Sequence, residues 1–168
     1  MNAKPALRLV VMGPSGCGKS TLARALAQAL ECRLVEGDAL HPPGNVDKMR
    51  SGRPLGDADR APWLDEVAAA LAKNEAHGVV ATCSALKRSY RDRLRAVAAP
   101  LTFIHPVSPR EVLAQRLAAR EGHFMPSSLL DSQLADLEPL AADEAGFAID
   151  GGASVEAQVA LIRARLGR

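Results

Sequence analysis

Short apolar runs alternate along the chain with stretches in which apolar residues recur every three or four positions. Leu7 to Met12 (LRLVVM) is almost continuously apolar and stops at Gly13, and Ser20 to Leu30 (STLARALAQAL) then has helical spacing. RLVEGD, ending at Asp38, predicts a second strand. Pro62 opens a predicted helix, PWLDEVAAALAKNEA, because proline is tolerated in a first turn. Gly78 to Ser84 (GVVATCS) predicts a third strand, LKRSYRDRLRAVA a third long helix, LTFIHP a fourth strand, and Pro109 the start of the helix PREVLAQRLAARE. GFAID predicts the fifth strand, and Ser154 a cap for VEAQVALIRARL. Apolar strands separated by helices indicate an α/β fold whose parallel sheet is covered on both faces. Ligands of such sheets sit at the carboxyl ends of the strands. The residues just after each strand are therefore where chemistry is expected.

Composition narrows the classes. With 168 residues, no repeat, no low-complexity tract and no long linker, residues 1–168 form one domain. Aromatic residues are 3% of the chain, which leaves the core to aliphatic side chains and provides no stacking platform for single-stranded nucleic acid. A net charge of +2 is too small to imply a polyanionic partner. No apolar run approaches the roughly 20 residues of a membrane span, and MNAKPALRLVVMG has no signal-cleavage pattern, so a cytoplasmic location is expected. Cys17, Cys32 and Cys83 show no C-x-x-C spacing and read as free thiols. A monomer and a homodimer are both open.

The first strand runs into GPSGCGKS, which fits G-x-x-x-x-G-K-[ST] at every fixed position. Gly13, Gly16 and Gly18 let the backbone of Gly13, Pro14, Ser15, Gly16, Cys17 and Gly18 curl so that successive N–H groups face a phosphate. The following helix, through Lys19, Ser20 and Thr21, adds its positive end. Lys19 reaches the β- and γ-phosphates, and the Ser20 hydroxyl is the expected Mg²⁺ ligand. The motif lies between a strand and a helix, the context that gives it meaning, so ATP and Mg²⁺ are the expected cofactors. A GTPase switch would carry N-K-x-D and D-x-x-G; neither occurs, and no acidic pair follows the third strand. A compact kinase remains.

The run EGDALHPPGNVDKM, Glu36 to Met49, is too polar for a core and too rich in turn residues for a linker. Asp38 should face the cleft, where phosphoryl transfer to an alcohol needs a carboxylate to orient the hydroxyl and take its proton or to hold a magnesium-bound water. Capping the next helix is its bland alternative. His41 is read as a substrate contact or an ordinary loop histidine. Arg60 precedes the Pro62 helix, and Lys87, Arg88 and Arg91 follow the third strand. Cations at two strand ends around an acid suggest an anionic acceptor, because arginine matches a carboxylate bidentately.

The phosphate loop, GDALHPPGNVDKM, GRPLGDADRAPWL, CSALKRSYRDRLR and REGHFMPSSLLDSQLADLE resemble, in order and spacing, the gluconate kinase family over about Leu9 to Asp150. Gly56, where a polar residue is common, and HPVSPR depart from the pattern without touching a proposed catalytic position. The resemblance implies a P-loop NTPase fold of the nucleoside-monophosphate/shikimate-kinase type, five parallel strands with a lid, and ATP-dependent phosphorylation of D-gluconate to 6-phospho-D-gluconate. It implies an acceptor-binding segment at about 38–64, with Asp38 as catalyst, His41, Asn45 and Lys48 near the sugar acid, and Met49 as packing. It also implies a lid at about 120–138. There Arg120 neutralises the transferring phosphoryl, Arg116 does the same or lies along the nucleotide, Gly122 is a hinge, and His123 and Gln133 reach the acceptor. The alternatives are a kinase for another small acid such as shikimate, whose expected G-E-x-x-F-R is absent, and a module that holds ATP without transfer.

Overall fold

A computed structural model describes residues 5–120 and 126–168. Its centre is β1 (Leu7–Val11), which pairs in parallel with β3 (Gly78–Thr82) on one side and β4 (Thr102–Val107) on the other. β2 (Arg33–Glu36) joins the outside of β3, and β5 (Gly146–Asp150) the outside of β4, giving the order β2-β3-β1-β4-β5. The reversal of strand order beside β1 opens a crevice at the carboxyl ends, where an α/β sheet binds its ligand.

Side-chain alternation along β1 divides the core between the two faces. Val10 and Met12 pack with Trp63, Leu64, Val67 and Leu71 of α3 (Asp57–Ala72) and Leu94 of α4 (Arg88–Ala98). Leu9 and Val11 meet Leu22 and Leu26 of α1 (Lys19–Leu30) and Ile162 of α7 (Val155–Leu166) on the opposite face. Two further helices, α5 (Arg110–Ala118) and α6 (Ser127–Asp136), supply Leu113, Leu117 and Leu130, which cover Cys17 of the phosphate loop.

Two local expectations change. Pro43–Arg50 forms a helix, α2, inside the polar run, with Pro43 in its first turn, where the missing proline N–H costs nothing. Pro62 does not open a helix: α3 begins at Asp57, and the Gly56 N–H donates to the Asp59 carboxylate at 2.8 Å. Ser154 does cap α7, accepting the Ala157 N–H at 3.1 Å.

Arg91 also departs from expectation. It is fully buried, far from an acceptor role, and donates to both carboxylate oxygens of Glu144 at 2.7 and 2.9 Å. Its Nη1 group donates to the Ala85 and Leu86 carbonyls at 2.9 and 3.2 Å, so it clamps the segment after β3 to the loop before β5. The Arg91 hydrogen bonds, reinforced by the Ala141 N–H and Arg95, hold the Glu144 carboxyl down to about 2 against the opposing effect of burial. A depressed carboxyl contributes stability that is complete above its ordinary value near 4.5 and lost as pH falls towards 2. Glu144→Gln leaves the arginine buried without its counter-charge and should cost about 3–5 kcal/mol in urea unfolding at pH 7. The difference from the parent should shrink as pH drops through that window. A loss below about 1 kcal/mol would reduce the pair to the weight of a surface contact.

Candidate active site

The loop from Gly13 to Ser20 wraps the end of β1 under strict backbone demands. Gly16 and Gly18 have φ of 86° and 89°, in the left-handed region that side chains resist. A Cβ on Gly13 would come within 2.8 Å of the Cys17 sulfur. The Lys19 ammonium folds back to donate to the Gly13 and Pro14 carbonyls at 2.9 and 3.1 Å, and α1 starts at the same residue. Backbone, helix end and ammonium therefore converge as a phosphate site requires. Pro14 and Cys17 contribute backbone only, Cys17 being buried against Leu113 and Leu117. Thr21 is exposed on α1.

The end of β2 supplies a residue that sequence reasoning passed over. The Glu36 carboxylate accepts the Ser20 hydroxyl at 2.9 Å and the Thr82 hydroxyl at 3.0 Å, with Arg24 at 3.7 Å. Its signal was its place two residues before Asp38, at the carboxyl end of a strand. The Ser20–Glu36 pair is an oxygen-donor set beside the phosphate loop suited to Mg²⁺, a hard cation that keeps most of its ligands as phosphate and water. Among the described residues no cluster of three or more acidic, histidine or cysteine side chains could hold an ion by itself.

Asp38 lies in a 3-10 turn, Gly37–Leu40, just beyond β2 rather than on its last residue. It lines a cavity of about 340 Å³ together with Lys19 and Ser15 from the phosphate loop. His41, Arg60, Arg120 and Gln133 line the same cavity, so residues from four separate sequence motifs meet there. Trp63, Ser84, Met49 and Arg50 line it as well; none is anticipated from the sequence as a contact, and Met49 reads there as packing. Gln133 accepts the Ser15 N–H at 2.8 Å and thereby joins α6 to the phosphate loop.

Several predicted cations are already engaged. Arg60 is buried and donates to Asp136 of α6 at 2.9 Å and to the Tyr90 hydroxyl at 3.0 Å. Lys48 pairs with Asp59 at 2.7 Å and Lys87 with Asp57 at 3.1 Å, and neither lines the cavity. Arg116 donates to the Gly16 carbonyl at 3.2 Å and the Gly151 carbonyl at 2.9 Å, strapping the phosphate loop to the loop after β5. The structure thus gives Arg116 backbone partners on the nucleotide side and gives Lys48 and Lys87 carboxylate partners outside the cavity. His123 and the Gly122 hinge lie outside the described residues.

His41 stacks on Trp63 with ring centroids 4.1 Å apart and planes at 15°. Burial pushes its pKa down, Asp38 opposes that shift, and Arg60 adds to it. Burial and Arg60 thus favour the neutral imidazole, and Asp38 works against them.

A phosphate loop at the central strand, a carboxylate facing it across a small-molecule-sized cavity, and the order β2-β3-β1-β4-β5 define a P-loop kinase of the nucleoside-monophosphate/shikimate-kinase type. A family model described as "AAA domain" (AAA_33) matches residues 9–140. The gluconokinase of Gluconobacter oxydans (strain 621H) is 54% identical over 153 residues, covering 90% of this chain and 85% of that protein. Among solved structures, a sugar kinase from Janibacter sp. HTCC2649 superposes with a TM-score of 0.91 at 42% identity, covering 97% of this chain and 95% of the other. A gluconokinase from Sinorhizobium meliloti 1021 gives 0.83 at 45% identity, covering 97% and 96%. The chain belongs to the gluconokinase family, and it is a kinase that uses a nucleotide substrate.

Lys19→Met keeps an unbranched side chain one atom shorter and removes its charge from the phosphate site. Phosphoryl transfer should fall far more than about tenfold with an unchanged melting temperature. Activity within about threefold of the parent would detach Lys19 from the transferring phosphate.

Proposed function

We propose that the protein transfers the γ-phosphoryl group of ATP to the terminal hydroxyl of D-gluconate, releasing ADP and 6-phospho-D-gluconate. The observation that carries this reading is the meeting of Asp38 and Lys19 in one cavity that Arg60 and Arg50 also line. An acid for the hydroxyl, a cation for the phosphate and further cations for the far end match an open-chain sugar acid. The names of the relatives point the same way.

Asp38 orients the acceptor hydroxyl and takes its proton as the new bond to phosphorus forms. The loop N–H groups and Lys19 hold the phosphates, and Arg120 meets the charge that develops on the transferring group. Arg60 keeps its Nε and Nη2 donors beyond the Nη1 group spent on Asp136 and Tyr90, and these would serve the acceptor carboxylate. Lys48, Lys87 and Arg91 are not assigned to it, because their partners already hold them elsewhere. Ser20 and Glu36 would hold Mg²⁺, which supplies neutralisation of phosphate charge. Residues 120–138 act as the lid that excludes water from the cleft, and the enzyme works in the cytoplasm.

Two measurements test this reading. In one ADP-release assay at fixed Mg·ATP, gluconate should exceed sorbitol by more than about tenfold in kcat/KM, because a site built for a charged group rejects the analogue that lacks it. Glucose and shikimate should fail too. Equal rates on gluconate and sorbitol would end the anionic-acceptor argument, and a preference for shikimate would end the substrate assignment.

Separately, Asp38→Asn preserves shape and removes the base, so kcat should fall on the order of 10²-fold or more. ATP affinity measured without acceptor should hold. A drop in thermal stability with kcat intact would make Asp38 a turn-forming residue.

A further inference from the structure

Asn45 is one of the few buried polar residues among those described, and its amide has two distinct partners. Its Nδ2 lies 2.9 Å from the Asp59 carbonyl oxygen and 3.2 Å from Nδ1 of His41. A carbonyl can only accept, so the amide nitrogen must face Asp59. Turned the other way, the amide oxygen would oppose the carbonyl oxygen. The first of the two amide hydrogens goes to Asp59, which leaves the second directed at His41. A donor aimed at Nδ1 requires a lone pair there, and the ring proton must then sit on Nε2. The stacking on Trp63 fixes the ring plane, and Trp63 is itself held by its indole N–H donating to the Gly37 carbonyl at 2.7 Å.

We infer that Asn45 is a positioning residue that locks His41 as a neutral Nε2–H tautomer, a hydrogen-bond donor to a hydroxyl oxygen of the acceptor. The inference rests on the cavity being the acceptor site. It separates two roles that proximity alone would leave mixed. His41 cannot collect the acceptor proton at Nδ1 without expelling the Asn45 N–H, and Nε2 already carries a proton. Asp38 is the only carboxylate among the described residues lining the cavity, so proton acceptance falls to it. The groups facing the ring agree with a neutral state: burial and Arg60 disfavour the imidazolium, and only Asp38 favours it. The chemistry also explains the spacing. Pro42 and Pro43 turn the chain into α2, bringing Asn45 back to the ring four residues earlier.

The test uses the full chain with ¹⁵N-labelled histidine, the His41 signals being assigned among the four histidines by their loss in His41→Gln. At pH 7 Nδ1 should show the shift of an unprotonated ring nitrogen and Nε2 that of a protonated one. A protonated Nδ1, or averaged shifts from mixed tautomers, would overturn the lock whatever the substrate is.

The kinetic arm asks whether the lock serves catalysis. Glutamine places its amide nitrogen near the position of Nε2, whereas asparagine places it near Nδ1. His41→Gln should therefore retain roughly tenfold more kcat/KM for gluconate than His41→Asn, the worth of about one hydrogen bond. Asn45→Asp puts an acceptor against Nδ1, which draws the proton of the neutral ring from Nε2 to Nδ1, so at a pH where the ring stays neutral the gluconate KM should rise about tenfold, with the ATP KM within about twofold. His41→Asn equal to or better than His41→Gln would overturn the donor role. If the parent does not phosphorylate gluconate, the functional reading fails while the spectrum still decides the tautomer. If Asn45→Asp does not fold, the parent spectrum and the two His41 variants suffice.

Discussion

The junction at Gly37 is the contact on which the site depends. There the chain leaves β2, and the Gly37 N–H donates to the Thr82 hydroxyl at 3.0 Å while its carbonyl accepts the Trp63 indole at 2.7 Å. A Cβ at this position would come within 2.0 Å of the Thr82 carbonyl oxygen, so any side chain would push β2 off β3. Because the backbone can approach so closely, Glu36 reaches the Ser20 hydroxyl on one side and Asp38 enters the cavity on the other. Thr82 bonds both the Gly37 N–H and Glu36, coupling the edge strand to the centre of the sheet. Trp63 extends the coupling to α3 and, through its stack with His41, to the start of α2. One close approach therefore fixes the phosphate side and the acceptor side relative to each other. Transfer between two bound groups needs such fixed geometry, since positioning supplies a large share of the acceleration.

Much of this was legible in the chain. All five strands and the helices on both faces follow from apolar runs and helical periodicity, and the phosphate loop follows from fixed residues whose backbone needs are strict. The helix α2 was not, because PGNVDKMR has almost no apolar periodicity; it is held by Pro43 at its start and by the Asn45 bonds to Asp59 and His41. The start of α3 was misjudged because Pro62 mimics a first-turn proline. The helix instead begins five residues earlier, where Asp59 caps Gly56.

The site was legible in residue type but not in pairing. Arg60, Lys48, Lys87 and Arg91 look equivalent in the sequence as cations near strand ends. Their partners separate them: Arg60 meets Asp136, 76 residues away, and Arg91 meets Glu144, 53 residues away. Whether a cation serves a ligand or the fold depends on which acid the topology delivers to it, and no local pattern encodes that. Glu36 was hidden for the complementary reason. As the last residue of an edge strand it resembles ordinary polar termination until the Ser20 hydroxyl arrives from α1.

Donors that converge on a cleft need acceptors, and the identity of those acceptors bears on what the cleft can bind. Lys19 is satisfied by two backbone carbonyls, and the Ser15 N–H by the Gln133 carboxamide; all three acceptors are neutral. A phosphate offers charged oxygens, whose hydrogen bonds are roughly twice as strong as neutral ones, so it competes with these partners favourably. Arg60 differs, because Asp136 is itself a carboxylate. An acceptor carboxylate gains little by displacing an equal charge, but it need not. The guanidinium has five N–H donors, and only the Nη1 group is committed to Asp136 and Tyr90. A second carboxylate on the remaining donors would share the cation with Asp136 without leaving either acid unpaired. Asp136 would then keep α6 against α3 while the acceptor binds, and Gln133, less than one turn earlier on α6, would stay beside the phosphate loop. The neutral contacts are thus the ones suited to exchange, and the charged one is suited to persist through turnover.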